Sequence, residues 1–111
     1  MGKHVLVVLS NPTDGQEDAY NDWYDNTHLG EVLQIPGITA AQRFEINGAP
    51  TRGEAAHKYM ALYELDTDTP QASLDELGVR VQDGRVEMSD AIDGKTIFAS
   101  LFTPHGERMT E

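Results

Sequence analysis

The chain has 111 residues, no cysteine, and nineteen acidic against eight basic residues, so its formal charge is 8 − 19 = −11 with histidine neutral. That length suits a single domain, residues 1–111, whose modest core would gain from association with a second copy. The acidic balance disfavours nucleic acid and anionic membrane surfaces, no apolar run approaches the ~20 residues of a spanning helix, and the missing cysteines exclude disulfides and thiolate chemistry, which fits a cytoplasmic protein.

Residues 1–9 carry a basic start and an apolar stretch, but Ser10-Asn11-Pro12-Thr13 ends it without a small-residue cleavage pattern. A first strand through Val5–Leu9 is expected, not a signal peptide. The turn cluster at 11–15 precedes Glu17 and Asp18, which suit the positive end of a helix starting near Gln16. Tyr20, Trp23, Tyr24, His28, Leu29, Val32 and Leu33 then recur at a three-and-four spacing, one stripe of a helix that Pro36-Gly37 closes. Ile38–Ile46 and His57–Leu65 read as two strands joined by a Gly/Pro-rich loop at 47–54, with Tyr59, Ala61, Tyr63 and Leu65 on one face.

Thr69 is the expected N-cap of a second helix with Pro70 at its first position, and Gly78 is expected to break that helix. A last strand, Thr96–Phe102, stops before Pro104. Strand, helix, strand, strand, helix, strand predicts an α+β, ferredoxin-like βαββαβ unit with a four-stranded antiparallel sheet and both helices on one face. The other face, apolar on several strands, is left bare and invites a homodimer.

Chemistry-bearing residues concentrate in Tyr20–His28. On an α-helix Tyr20, Tyr24 and His28 stack on one face, and Asp25, three residues before His28, can reach its side. A histidine titrating near ~6.5 with a carboxylate neighbour suits general acid–base work, the carboxylate favouring its charged form. A packed, hydrogen-bonded core histidine is the alternative, and Tyr20, Trp23, Tyr59 and Tyr63 can either line a pocket or pack. Arg43 can grip a carboxylate or enolate oxygen, or pair on the surface with Glu45 or Glu31. His4, His28, His57 and His105 are scattered with no HxH or HxxxH pair, and the glycines form no phosphate loop, so neither a metal nor a cofactor is expected.

The run Trp23-Tyr24-Asp25-Asn26-Thr27-His28-Leu29, followed by Val32-Leu33, Ile35-Pro36-Gly37-Ile38 and Ala41-Gln42-Arg43-Phe44, resembles the helix-to-strand signature of EthD-like members of the dimeric α+β barrel superfamily. The resemblance implies a homodimer with a small-molecule pocket on the helix side of the sheet. His28 would be the helix histidine pointing into it, Trp23 and Tyr24 the aromatic pair before it, and Arg43 the polar strand position. Relatives in that superfamily include cofactor-free oxygenases, isomerases and polyketide cyclases. The expected function is a cofactor-independent isomerase, cyclase, lyase or oxygenase of aromatic or polyketide metabolism. His28 would be the acid–base residue, Tyr24 and Asp25 its orienters, Arg43 or Tyr59 the oxyanion stabiliser, and Tyr20, Trp23, Tyr59 and Tyr63 would contact the substrate. The alternative is a ligand-binding or accessory dimer without chemistry.

Overall fold

A computed structural model describes residues 2–111. In chain order it contains β1 (Lys3–Ser10), α1 (Glu17–Trp23), a π-helical turn (Tyr24–His28), α2 (Leu29–Val32), β2 (Ile38–Glu45), β3 (Tyr59–Asp66), α3 (Pro70–Gln82) and β4 (Phe98–Phe102). The strands form one antiparallel sheet in the order β2-β3-β1-β4, which is the ferredoxin-like arrangement that the element order predicts.

Register divides the sheet into two faces. Leu6 sits opposite Tyr63 and Leu101, and Val8 opposite Ala61 and Ala99, so these side chains share the helix-covered face. The alternate positions Val5, Val7, Leu9, Met60, Leu62, Phe98 and Phe102 point the other way, where no element covers them. Phe44, Phe98 and Phe102 are 40%, 45% and 51% exposed, so the bare apolar face expected from the sequence is present.

The core lies between the sheet and the first helical stretch, where Tyr20, Trp23, Tyr24, Val32 and Ile35 pack on Leu6, Ala61, Tyr63 and Leu65. The three-and-four spacing predicts an unbroken α-helix. The chain instead widens into a π turn at Tyr24–His28 before returning to α geometry.

The second helix departs from expectation in two ways. Gly78 does not break α3, which runs to Gln82, because an exposed glycine costs only about 1 kcal/mol against alanine in a helix interior. Thr69 occupies the N-cap but makes no side-chain cap bond; the Thr67 hydroxyl accepts from the Thr69 N–H instead, at 3.1 Å.

Ser73 is the one buried residue of α3, and its hydroxyl donates to the Pro36 carbonyl at 2.7 Å. This anchor sits on Gly37, whose φ of +95° and the close approach of Ser73 both require glycine. Beyond α3 the irregular segment 83–97 returns under the first helix. It buries Val86 and Ala91 and is tied to the β1–α1 turn by hydrogen bonds from Thr13 N–H to the Ala91 carbonyl, 2.7 Å, and from Asp93 N–H to the Asn11 carbonyl, 2.9 Å.

Candidate active site

α3 is anchored near its start by Ser73 and leaves space between its later turns and the sheet. The apolar stripe Leu74, Leu77 and Val81 faces Leu6 and Val8 of β1 and Ala99 and Leu101 of β4 across a cavity of about 560 Å³. Met88, Ile92 and Ile97 close one side, and Tyr24 and His28 form the wall given by the first helix. Gln71 is the other polar side chain on the lining, which carries no Lys, Arg, Asp or Glu; Ser100 borders it through the β4 backbone, because its side chain, opposite Val7, turns to the bare face. A concave, mostly apolar chamber with a few polar groups is the form of a small-molecule site.

His28 is placed in this wall by the π turn. Bonding from i to i+5 brings each residue back over the one five before it. The imidazole accordingly stacks on the Trp23 indole, with centroids 4.5 Å apart and planes at 29°. The indole N–H donates to the Glu87 carbonyl at 3.0 Å, and the Glu87 N–H donates to the Glu31 carboxylate at 2.8 Å, so segment 83–97 grips the helix on both sides of the turn. Tyr24 meets the same imidazole edge-on, at 5.1 Å. The Nδ1 atom of His28 is buried without a hydrogen-bond partner. Burial pushes the His28 pKa down to about 4, with the Glu31 charge and the Glu87 main chain opposing that shift. The side chain is therefore neutral at physiological pH, whereas the sequence predicted a carboxylate partner that would favour its charged form.

Asp25 is not that partner, because its carboxylate accepts from Arg43 Nη1 at 2.7 Å. Arg43 Nη2 donates to the Asn21 side-chain oxygen at 2.8 Å, and the guanidinium carbon lies 4.4 Å from the Tyr24 ring centroid, 5.0 Å from that of Tyr59 and 5.2 Å from that of Tyr20. Arg43 thus pairs with Asp25 and not with Glu45 or Glu31. Its side chain is 11% exposed, and it stays off the cavity lining. Arg43 and Asp25 instead line, with Asn21 and Tyr59, a separate recess of about 430 Å³, so the expected grip on a substrate oxygen is not on the cavity that His28 faces.

The other aromatic candidates divide similarly. Tyr24 lines the cavity, and burial pushes its hydroxyl pKa up to about 12, so it stays protonated. Trp23 touches the site through its stack on His28. Tyr20 is buried and hydrogen-bonded to the Ser10 hydroxyl at 2.7 Å. Tyr63 is buried beneath the first helix, its hydroxyl has no partner, and burial raises its pKa. The Tyr59 hydroxyl donates to Glu17 and accepts from Asn21. Tyr20, Tyr59 and Tyr63 are thus not on the lining of this cavity.

The sequence does not single out Gln71 or the α3 stripe as site residues. The i, i+3, i+7 spacing of Leu74, Leu77 and Val81 was available as a signal, but it reads the same for a stripe that packs and for one that faces a cavity.

No protein-family model matches the sequence, and no curated protein does. Solved structures do match. An EthD family protein from Bacillus halodurans C-125 superposes with a TM-score of 0.62 at 24% identity, covering 98% of this chain and 100% of the other. A dimeric ferredoxin-like protein of unknown function from Jannaschia sp. CCS1 gives 0.61 at 16% identity, covering 93% of this chain and all of the other. SnoaB, a cofactor-independent oxygenase from Streptomyces nogalater, gives 0.59 at 11% identity, with 96% and 97% covered. The fold that the EthD-like resemblance implied is therefore the observed one, and at these identities the likeness is of fold.

Proposed function

We infer that this chain is a small cofactor-independent enzyme that moves a proton on an uncharged cyclic or aromatic molecule held against His28. The observation that carries the reading is that a neutral histidine lines a 560 Å³ apolar cavity and has no protein hydrogen-bond partner on Nδ1. The Glu87 main chain interacts with the imidazole, and Nδ1 is left over. Nδ1 is itself buried, so a small turn of the imidazole is needed to bring it onto a bound C–H or O–H acid. As the proton transfers, the imidazolium and the new enolate or phenolate form side by side, so the burial penalty on a lone cation is offset by the adjacent anion. Tyr24 walls the same end of the cavity, Trp23 backs the imidazole, and Gln71 offers hydrogen bonds to ring substituents.

Isomerisation, cyclisation, elimination and oxygenation of an activated ring all begin with such a proton transfer. The fold is shared with a cofactor-independent oxygenase and with an EthD family protein, which supports a reaction of this group. The bare apolar sheet face and the likeness to a dimeric ferredoxin-like protein support a homodimer formed through that face. A second reading, a binding protein without chemistry, is favoured by the depressed His28 pKa, since a histidine titrating near 4 is a weak base until a substrate anion forms beside it.

Turnover separates the two. Naphthols and cyclic ketones should be consumed by the wild type and about 10²–10⁴-fold more slowly by His28→Ala. Binding of such compounds with no turnover by either protein would establish the second reading.

A further inference from the structure

We propose that Arg43 is a positioning residue: its guanidinium bridges Asn21 and Asp25 across the junction between α1 and the π turn, holding that turn open and keeping His28 stacked on Trp23. The proposal gives Arg43 a role distinct from the oxyanion contact expected of it. It rests on the reading above only for its functional weight, because its test reads geometry without a substrate.

Three observations support it. Asn21 lies in α1 and Asp25 is the second residue of the π turn, so one planar group fixes two helix positions on either side of the change in winding. The anchor itself is rigid, since Arg43 projects from β2, where it pairs with Ala61 of β3. Its side chain is largely buried, packed against the Tyr20, Tyr24 and Tyr59 rings, with Nε unpartnered; an arginine serving only solubility would not be desolvated in this way.

The opposite side of the helix is held by the Glu87 main chain, which binds Trp23 before the turn and Glu31 after it. A π turn carries a residue more per winding than the α-helix around it and persists where tertiary contacts hold both flanks. Releasing the Arg43 side lets residues 24–28 rewind to α geometry, which swings His28 away from Trp23. A lysine in place of Arg43 keeps the charge but cannot make the two-pronged contact.

Trp23 is the sole tryptophan and His28 the only histidine stacked on it, so the emission of Trp23 reports protonation of His28. The titratable groups facing that imidazole are Glu31 and Tyr24, and the cavity lining adds no other. In the wild type a pH titration of Trp23 emission should show a quenching step near about 4. In Arg43→Lys the step should move up by at least about one pH unit toward the free-histidine value and lose amplitude as the stack opens. Asp25→Asn, which keeps an acceptor oxygen but not the charge, should fall between the two.

A folded Arg43→Lys whose step keeps the wild-type midpoint and amplitude would overturn the proposal. Should that variant not fold, Asp25→Asn with a wild-type step would overturn it equally. A shifted step in a protein that turns over no cyclic substrate would leave Arg43 as the positioning residue and remove the enzymatic reading. An unshifted step with His28-dependent turnover would do the reverse.

Discussion

His28 stacks on Trp23 at 4.5 Å between ring centroids, although the two residues are five apart in sequence. In an α-helix such residues point roughly 140° apart, at 100° per residue. The contact exists because Tyr24–His28 is wound as a π turn. It leaves the imidazole buried on one side and facing a cavity on the other.

The pH dependence of stability follows from that burial. The folded-state pKa of His28, about 4, lies below the value near ~6.5 of the unfolded chain, so between them the unfolded chain binds the extra proton. The contribution is complete above about pH 6.5 and is lost as pH falls toward 4, a change on the order of 2–3 kcal/mol. Denaturant unfolding of the wild type should show this loss, and His28→Ala should lack it. At pH 7 the same substitution should cost only about 1 kcal/mol, the worth of its ring contacts, because Tyr24 meets His28 through its ring alone and Asp25 is paired with Arg43. A loss of 3 kcal/mol or more at pH 7 (about twice the upper worth of one ring pair) would mark His28 as a packing node.

Most of the fold was legible because the continuous apolar run in β1, the alternation in β3, the turn clusters and Pro36-Gly37 each report a local preference. The bare face followed from counting apolar positions on both sides of the strands. The site was legible only in part. His28 and Tyr24 were found by residue type, but their neighbours were assigned by α-helical spacing, which placed Asp25 beside His28. The π turn sends Asp25 to Arg43 instead, and that winding is set by tertiary contacts from Arg43 and Glu87, which no helical periodicity records. Gly78 misled for the opposite reason: a local cost was read as a break, yet the helix absorbs it.

The lining predicts charge selectivity. With no cationic side chain in the cavity, a naphthol should bind at least about tenfold more tightly than the naphthoate of similar size, since burying an unpaired carboxylate is costly. Leu77→Trp should fill the space and abolish naphthol binding with little change in melting temperature. Tighter naphthoate binding, read by calorimetry, would place the ligand elsewhere.

Gly37 supports the roof of the cavity. A Cβ there would sit 2.4 Å from the Ser73 hydroxyl at a φ of +95°, so Gly37→Ala should destabilise by about 2–3 kcal/mol and weaken naphthol binding through a displaced α3. Thermal unfolding checks the first part and calorimetry the second. A wild-type melting temperature would show that α3 does not depend on this anchor.

The open sheet face predicts association. Light scattering at micromolar concentration should give twice the 12.3 kDa chain mass, and Phe98→Glu should shift it toward one chain by burying a charge at the seam. A monomeric wild type would show that the face stays open to water.

Proton transfer by His28 is read most directly by deuterium exchange at the acidic carbon of β-tetralone in deuterium oxide, followed by proton NMR with catalytic amounts of protein. This reports the transfer whatever reaction follows it. The wild type should accelerate exchange over buffer, and His28→Ala should lose that acceleration by about 10²–10⁴-fold while still binding the ketone. Equal exchange by the wild type and His28→Ala, with the ketone bound to both, would contradict the assignment of His28 as the acid–base group.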